Sequence, residues 1–269
     1  MESTPLELAT PGLSPRRTDA WPWRLFATGA SFVLFGLGGL LLRVAVLPLL
    51  ACLPGDAVAR RRRARAAIGR AFRLHAWFMQ RSRVLDFSIE GAERLGRPGQ
   101  LIVANHPSLI DVVFLLGQVP QANCVVKAAL LRNPFTRGPM RAARYIGNDG
   151  SLDMLERAAA VLREGQCLLV FPEGTRTAPG RAPAFHRGAA AIALRGARSI
   201  APVFVSVEPT TLTKAEPWYR IPDRRVQVRL RVGEPVDPAA FADGAPAPIA
   251  ARRLNDHLHQ LFTRELAAT

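Results

Sequence analysis

The sequence predicts an α/β fold in which a mixed, mostly parallel sheet is flanked by helices, with an N-terminal helical membrane-anchoring element in front. Three observations lead there. Uninterrupted apolar runs at 100–104 and 167–171 read as short, fully buried strands, and helical stretches alternate with them. Each run opens into a loop dense in polar residues, which is where α/β sheets place ligands. Ahead of them, residues 25–42 form an 18-residue stretch without a charge. The organisation expected is therefore a disordered tail with a membrane-associated helical element over 1–84, then a sheet-bearing unit over 85–269 that ends in a helix.

Taken in order, residues 1–20 are polar and rich in Pro, Ser and Thr, a composition that cannot bury enough to fold. Trp21 and Trp23 beside Arg24 have the character of interface anchors. At about 1.5 Å per residue the uncharged stretch spans about 27 Å, barely a bilayer core. Arg43 interrupts it, Pro48 lies in the apolar continuation, and Gly36, Gly38 and Gly39 weaken its centre. Two readings follow: one spanning helix, or a helical hairpin dipping into one leaflet. A cleaved secretory signal is disfavoured by Glu2, Glu7 and Asp19 in place of a basic start. The arginines at 60–63, 65, 70 and 73 then place the body on the cytoplasmic face, or else form a solvated helix face.

Beyond them the pattern predicts a helix over 66–78, strands at 84–90 and 123–127, a short helix at 128–131, and a strand end at 144–148. A helix at 153–164 carries Leu155, Ala158, Ala159 and Leu162 on one face. A helix at 188–195, a strand at 201–205, an alternating edge strand at 225–232 and a helix over 246–266 complete the chain. The net charge of +15 calls for an anionic partner. Nucleic acid is not expected, because few aromatics interleave the basic residues and no DNA-binding signature is present. An anionic membrane surface suits the layout better. Cys52, Cys124 and Cys167 have no metal-ligand spacing, and His75, His257 and His259 read as packing or surface residues, so no metal is expected.

The chemistry concentrates at 105–111, Asn-His-Pro-Ser-Leu-Ile-Asp. Pro107 fits the first turn of a helix, which leaves His106 at a strand-to-helix corner with free N–H groups beside it. Residues five apart on a helix diverge by about 140°, so His106 reaches Asp111 only from just outside the helix. A carboxylate on one ring nitrogen fixes the tautomer and leaves the other as a base. Such a pair is the back half of a nucleophilic triad without its nucleophile. Ser108 is a poor candidate for that role, since no Gly-x-Ser-x-Gly elbow surrounds it. The attacking hydroxyl or amine would come from the substrate. A second polar loop, Phe171-Pro172-Glu173-Gly174-Thr175-Arg176, follows the other buried strand.

The pairing of His106 and Asp111 with that second loop resembles the glycerolipid acyltransferases typified by 1-acylglycerol-3-phosphate acyltransferase, over roughly 85–235. Pro202 ahead of an apolar strand matches a further motif of that family. The resemblance implies an acyltransferase domain that moves a fatty acyl group from acyl-CoA or acyl carrier protein to the hydroxyl of a lysophospholipid-type acceptor. His106 would be the general base and Asp111 its partner, with no cofactor and with backbone N–H groups near the helix start receiving the oxyanion. It implies that Glu173 and Arg176 bind the acceptor head, with Gly174 and Thr175 in the loop that approaches it. It also implies a two-helix membrane element, which favours the hairpin, and attachment to the cytoplasmic membrane. One departure stands out. The family's second motif ends in Arg, and here that position is Asn148. Arg144 or Arg141 could substitute, or the acceptor carries less charge than lysophosphatidate, as a lyso-aminolipid does. A thioester or ester hydrolase using the same pair with water, and a non-catalytic lipid-binding relative, are the alternatives.

Overall fold

The computed structural model describes residues 20–133, 136–181, 183–214 and 216–268, so the expected disorder of the first residues lies outside them, apart from Ala20. The chain opens with α1 (Trp21–Leu41), a π-type turn over Leu42–Val46 and α2 (Leu47–Cys52). Together they make one helical run of 32 residues, Trp21–Cys52, long and apolar enough to cross a membrane. The expected break at Gly36, Gly38 and Gly39 is absent. Those glycines face open space, so nothing crosses there and the intrahelical bonding continues. Val33, Leu34, Leu37 and Leu41 stand exposed along the same helix. The turn comes later, at 53–56, and leads into α3 (Ala57–Arg81), whose N-terminus is capped by Asp56 accepting the Ala59 N–H at 2.7 Å. The apolar stretch is thus one continuous helix and not a hairpin within itself, and its turn at 53–56 leads into the arginine-rich helix.

The arginines of α3 are not one uniform face. Arg65 is 2% exposed, and it donates to the carbonyls of Ala143 (2.9 Å) and Gln121 (3.0 Å) and to the Gln166 side chain (2.8 Å). Burial lowers its pKa to about 10. Arg24 likewise departs from the interface role expected of it. At 2% exposure it donates to the carbonyls of Pro222, Asp223 and Arg224 at 2.6 to 3.0 Å, fastening the start of α1 to the body.

The body follows as β1 (Leu85–Glu90), β2 (Gln100–Ala104), α4 (Asp111–Gln118), β3 (Asn123–Lys127), α5 (Ala128–Arg132), α6 (Arg137–Ala142) and β4 (Ile146–Asn148). It continues with α7 (Leu152–Arg163), β5 (Leu168–Val170), α8 (Gly188–Gly196), β6 (Ser199–Glu208), β7 (Val226–Val232) and α9 (Ala247–Ala267). The seven strands form one sheet in the order β1-β7-β6-β2-β5-β3-β4, antiparallel only between β6 and β7. The mixed, mostly parallel sheet is as the sequence predicts. The strand at 225–232 is not an edge: it lies between β1 and β6. Its alternation reflects one covered and one more open face, with Val226, Val228, Leu230 and Val232 buried.

Period-two alternation on β2 divides the core. Ile102 and Ala104 pack with Ile68, Met79, Phe114 and Leu115 under α3 and α4. Leu101 and Val103 pack with Leu162, Ile192, Leu254 and Phe262 under α7, α8 and α9. The result is a helix–sheet–helix sandwich with β2 buried at every position. Since β2, β3, β4, β5 and β6 run parallel, their C-terminal ends share one edge of the sheet, and the loops after them converge there.

Candidate active site

Asn105 sets the corner. Its side chain accepts the Val205 N–H at 2.7 Å and donates to the Val205 carbonyl at 2.8 Å, prolonging the β2–β6 pairing by one side-chain rung. His106 follows as the first residue released from the sheet. Its Nδ1 lies 2.9 Å from Asp111 Oδ2, and the same oxygen accepts the Ser108 N–H at 2.8 Å. With Nδ1–H given to the carboxylate, Nε2 is the basic nitrogen, on a side chain that keeps 20% of its surface open. The imidazole stacks on Phe171 with centroids 4.3 Å apart.

The helix begins four residues later than Pro107 suggests. Residues 105–110 form a braced loop, and α4 starts at Asp111 behind Ile110. Asp111 reaching back to the Ser108 N–H is the returning half of a capping box, S-x-x-D, so the same carboxylate ends the loop and orients the histidine. This also removes the free donors expected beside His106. The His106, Ser108 and Leu109 N–H groups are bonded to Glu173, Asp111 and Leu212, and Pro107 has none. An oxyanion cannot be assigned to residues 106–109. Ser108 is 0% exposed and its Oγ donates to the Thr211 carbonyl, which leaves no room for a nucleophilic role.

Glu173, near the start of the loop after β5, is 4% exposed. One oxygen accepts the His106 N–H at 2.8 Å and the other accepts the Thr177 hydroxyl, while Thr177 N–H returns to the His106 carbonyl at 3.1 Å. Burial pushes the Glu173 carboxyl up to about 7, against the hydrogen bonds it receives. Asp111 is raised too, chiefly because it is fully buried, with the His106 hydrogen bond and the Arg176 charge pulling the other way. Gly174 adopts φ +66, the left-handed conformation the turn needs, and Thr175 stands half-buried beside it. Arg176 Nη1 donates to the carbonyls of Leu212 and Thr213 at 2.7 and 2.9 Å. The loop after β6 is thereby strapped across the corner.

Five of the residues singled out from the sequence, together with Gly174 and Thr175 between them, hold as one constellation: His106, Ser108, Asp111, Glu173 and Arg176. Asn148 does not join it. It ends β4, exposed, with its Oδ1 accepting the Gly150 N–H at 3.2 Å. The strand order places it three strand spacings from β2, about 14 Å away along the same edge. Its register partner on β3 is Lys127, an exposed cation. Arg141 and Arg144 lie on the other side of that rim, facing α2 and α3. Sequence reasoning missed Asn105, Phe171 as the stacking partner, Lys127 and the 211–213 strap. Asn105 carried a signal, an amide at the last step of an apolar strand. The strap carried none, because it arrives from about a hundred residues away.

Comparison with known proteins fits this geometry. Residues 86–206 match the family model Acyltransferase. A 1-acyl-sn-glycerol-3-phosphate acyltransferase of Saccharomyces cerevisiae is 31% identical over 162 residues, 56% of this chain and 52% of that protein. A lyso-ornithine lipid O-acyltransferase of Pseudomonas aeruginosa is 31% identical over 139 residues, 50% and 54% of the two chains. The alignments thus span about half the length of these curated relatives. The crystal structure of the 1-acyl-sn-glycerophosphate (LPA) acyltransferase PlsC from Thermotoga maritima superimposes with a TM-score of 0.69 at 21% identity, covering 91% of this chain and 96% of that one, a likeness of fold.

Proposed function

We propose, from the match of residues 86–206 to the Acyltransferase family model, that this protein transfers a fatty acyl group from an acyl thioester to the hydroxyl of a lysophospholipid-type acceptor at a membrane surface. The observation that carries the mechanism is the corner itself: a partly open imidazole whose Nδ1 is held by a fully buried carboxylate, with no activated hydroxyl beside it among the described residues. The acceptor hydroxyl gives its proton to His106 Nε2 as its oxygen attacks the thioester carbonyl. Asp111 stabilises the imidazolium that forms. When the tetrahedral intermediate collapses, the C–S bond breaks and the imidazolium proton passes to the departing thiolate. No acyl-enzyme is formed.

Glu173 holds the backbone of His106 and the Thr177 hydroxyl, so its contribution to acceptor binding runs through the shape of the loop. The donor is acyl-CoA or acyl carrier protein, both anionic and both suited to a chain of net charge +15. The apolar helix from Trp21 to Cys52 supports attachment to the membrane, and the exposed arginines of α3 support a cytoplasmic position for the body by the positive-inside rule. Asn148 in place of a cation, and a relative that is a lyso-ornithine lipid acyltransferase, support a lyso-aminolipid as acceptor. Lysophosphatidate is the acceptor that the majority of the named relatives support, and Lys127, exposed beside Asn148, is the candidate cation for its phosphate. The test is transfer from labelled acyl-CoA and acyl carrier protein to a panel of lyso-lipids, with products identified by mass. Loss of acyl donor at the same rate without any lyso-lipid would mean hydrolysis.

A further inference from the structure

Where the apolar helix ends, a cleft of about 240 Å³ opens away from the catalytic corner. Leu47 and Leu50 of α2 supply its apolar wall, Arg60 and Arg61 of α3 one side, and Arg141 and Arg144 behind α6 the other. Four guanidinium groups therefore surround one small space, and no carboxylate among the described residues lines it. Arg60 uses one nitrogen on the Gly55 carbonyl at 3.0 Å. Among the described residues the side chains of Arg61, Arg141 and Arg144 have no hydrogen-bond or ion-pair partner, and the Arg61 Nε is buried without one.

A second groove on the same molecule shows what a self-neutralised cluster looks like. There Arg94 meets Glu234 at 2.8 Å and Arg231 meets Glu265 at 2.8 Å, and both Arg–Glu pairs line the groove. The cleft beside α2 has the cations without the anions. Its turn is also built rather than loose, since Arg63 donates to the carbonyls of Leu50 and Pro54 at 3.1 and 2.7 Å and so fixes α2 against α3.

We propose that this cleft binds the phosphate of one anionic membrane phospholipid, whose acyl chains lie along the exposed apolar end of the helix. Leu49 is 70% exposed and Leu53 48% exposed at that end, so an apolar surface runs on directly from the cationic one. A free phosphate would need only the guanidiniums. The apolar wall and the exposed leucines beside it favour a lipid, and basic pockets next to membrane helices take anionic headgroups in this way. The inference rests on the membrane placement proposed above and not on acyl transfer, and it is measured without turnover.

The experiment uses the full chain, exchanged from detergent into phosphatidylcholine nanodiscs with and without phosphatidylglycerol and then released for native mass spectrometry. Wild type should retain one phosphatidylglycerol. The triple variant Arg61→Gln, Arg141→Gln, Arg144→Gln should hold it about a hundredfold more weakly. The triple variant Arg62→Gln, Arg70→Gln, Arg73→Gln removes the same charge from exposed positions outside the cleft and should retain it. Should the first triple fail to fold, Arg144→Gln alone, at an exposed position, should weaken retention about fivefold. Equal loss in the two triples would overturn the site in favour of a diffuse surface charge. Displacement of the lipid by inorganic phosphate, or by coenzyme A, at matched concentration would overturn the lipid as its occupant.

Discussion

The corner after β2 and the rim after β4 lie on the same edge of one sheet, yet they are built on opposite plans. At the corner the inward polar groups from Asn105 to Ser108 are bonded, to Val205, Glu173, Thr177, Asp111 and Thr211, while Asp111 Oδ1 is buried without a hydrogen-bond partner. At the rim, Asn148 and Lys127 are exposed. The contrast separates two jobs. A base must be held to within a fraction of an ångström, so its loop is cross-braced from the ends of two neighbouring strands, β5 and β6. The headgroup recognition proposed for the rim needs charge within reach and tolerates motion, and Lys127 and Asn148 stand exposed at the ends of β3 and β4.

If that division is right, substitutions at the corner act on rate and stability, and those at the rim act on selectivity. His106→Ala should lower kcat/KM for acyl transfer by about 10² to 10⁴ with the melting transition unchanged. A folded variant keeping more than half of wild-type turnover would remove the base from the account.

Glu173→Gln tests the bracing. The Glu173 carboxyl is raised from its ordinary 4.5 to about 7 by burial, so the folded state favours the protonated form. Its contribution to stability is full below 4.5 and is lost as pH rises through 7. By that linkage the variant, which cannot ionise, should gain up to about 3 kcal/mol over wild type at pH 8 and nothing at pH 4. Denaturant midpoints at the two pH values measure it, and parallel shifts at both would show that folding does not raise the Glu173 pKa.

At the rim, Asn148→Arg should raise kcat/KM for lysophosphatidate relative to a lyso-aminolipid by about tenfold to a hundredfold, since a charge-assisted hydrogen bond contributes about 1.5 to 3 kcal/mol. The absolute rate with the aminolipid should barely move. An unchanged ratio would hand the phosphate to Lys127, whose replacement by Ala would then be the next measurement.

The comparison also explains what the sequence could tell. The strands at 100–104 and 167–171 were legible because buried parallel strands are uninterrupted apolar runs, and His106, Asp111 and Glu173 because they sit directly after such runs. The pairing of His106 with Asp111 was legible as a local loop closure. The late start of α4 was not, since Pro107 is compatible with a first turn and only the Ser108–Asp111 bond shows that the turn is used otherwise. The interior position of β7 was hidden, because alternation reports exposure of a face and not the presence of neighbours. Arg24 and Arg65 read as surface cations, and the carbonyls that bury them come from about 200 residues and about 80 residues away along the chain. Local pattern specified the elements and the chemistry. Long-range hydrogen bonding decided which charges were structural.

The central claim is that the attacking oxygen belongs to the acceptor and not to the protein. Its most direct test is a single-turnover experiment with acyl-labelled acyl-CoA and excess enzyme, followed by quenching and separation of protein, lipid and free fatty acid. The account predicts that thiol is released only when a lyso-lipid is added, that all label then moves to the lipid, and that none is recovered on the protein. Label on the protein, or thiol release of equal rate without acceptor, would contradict it.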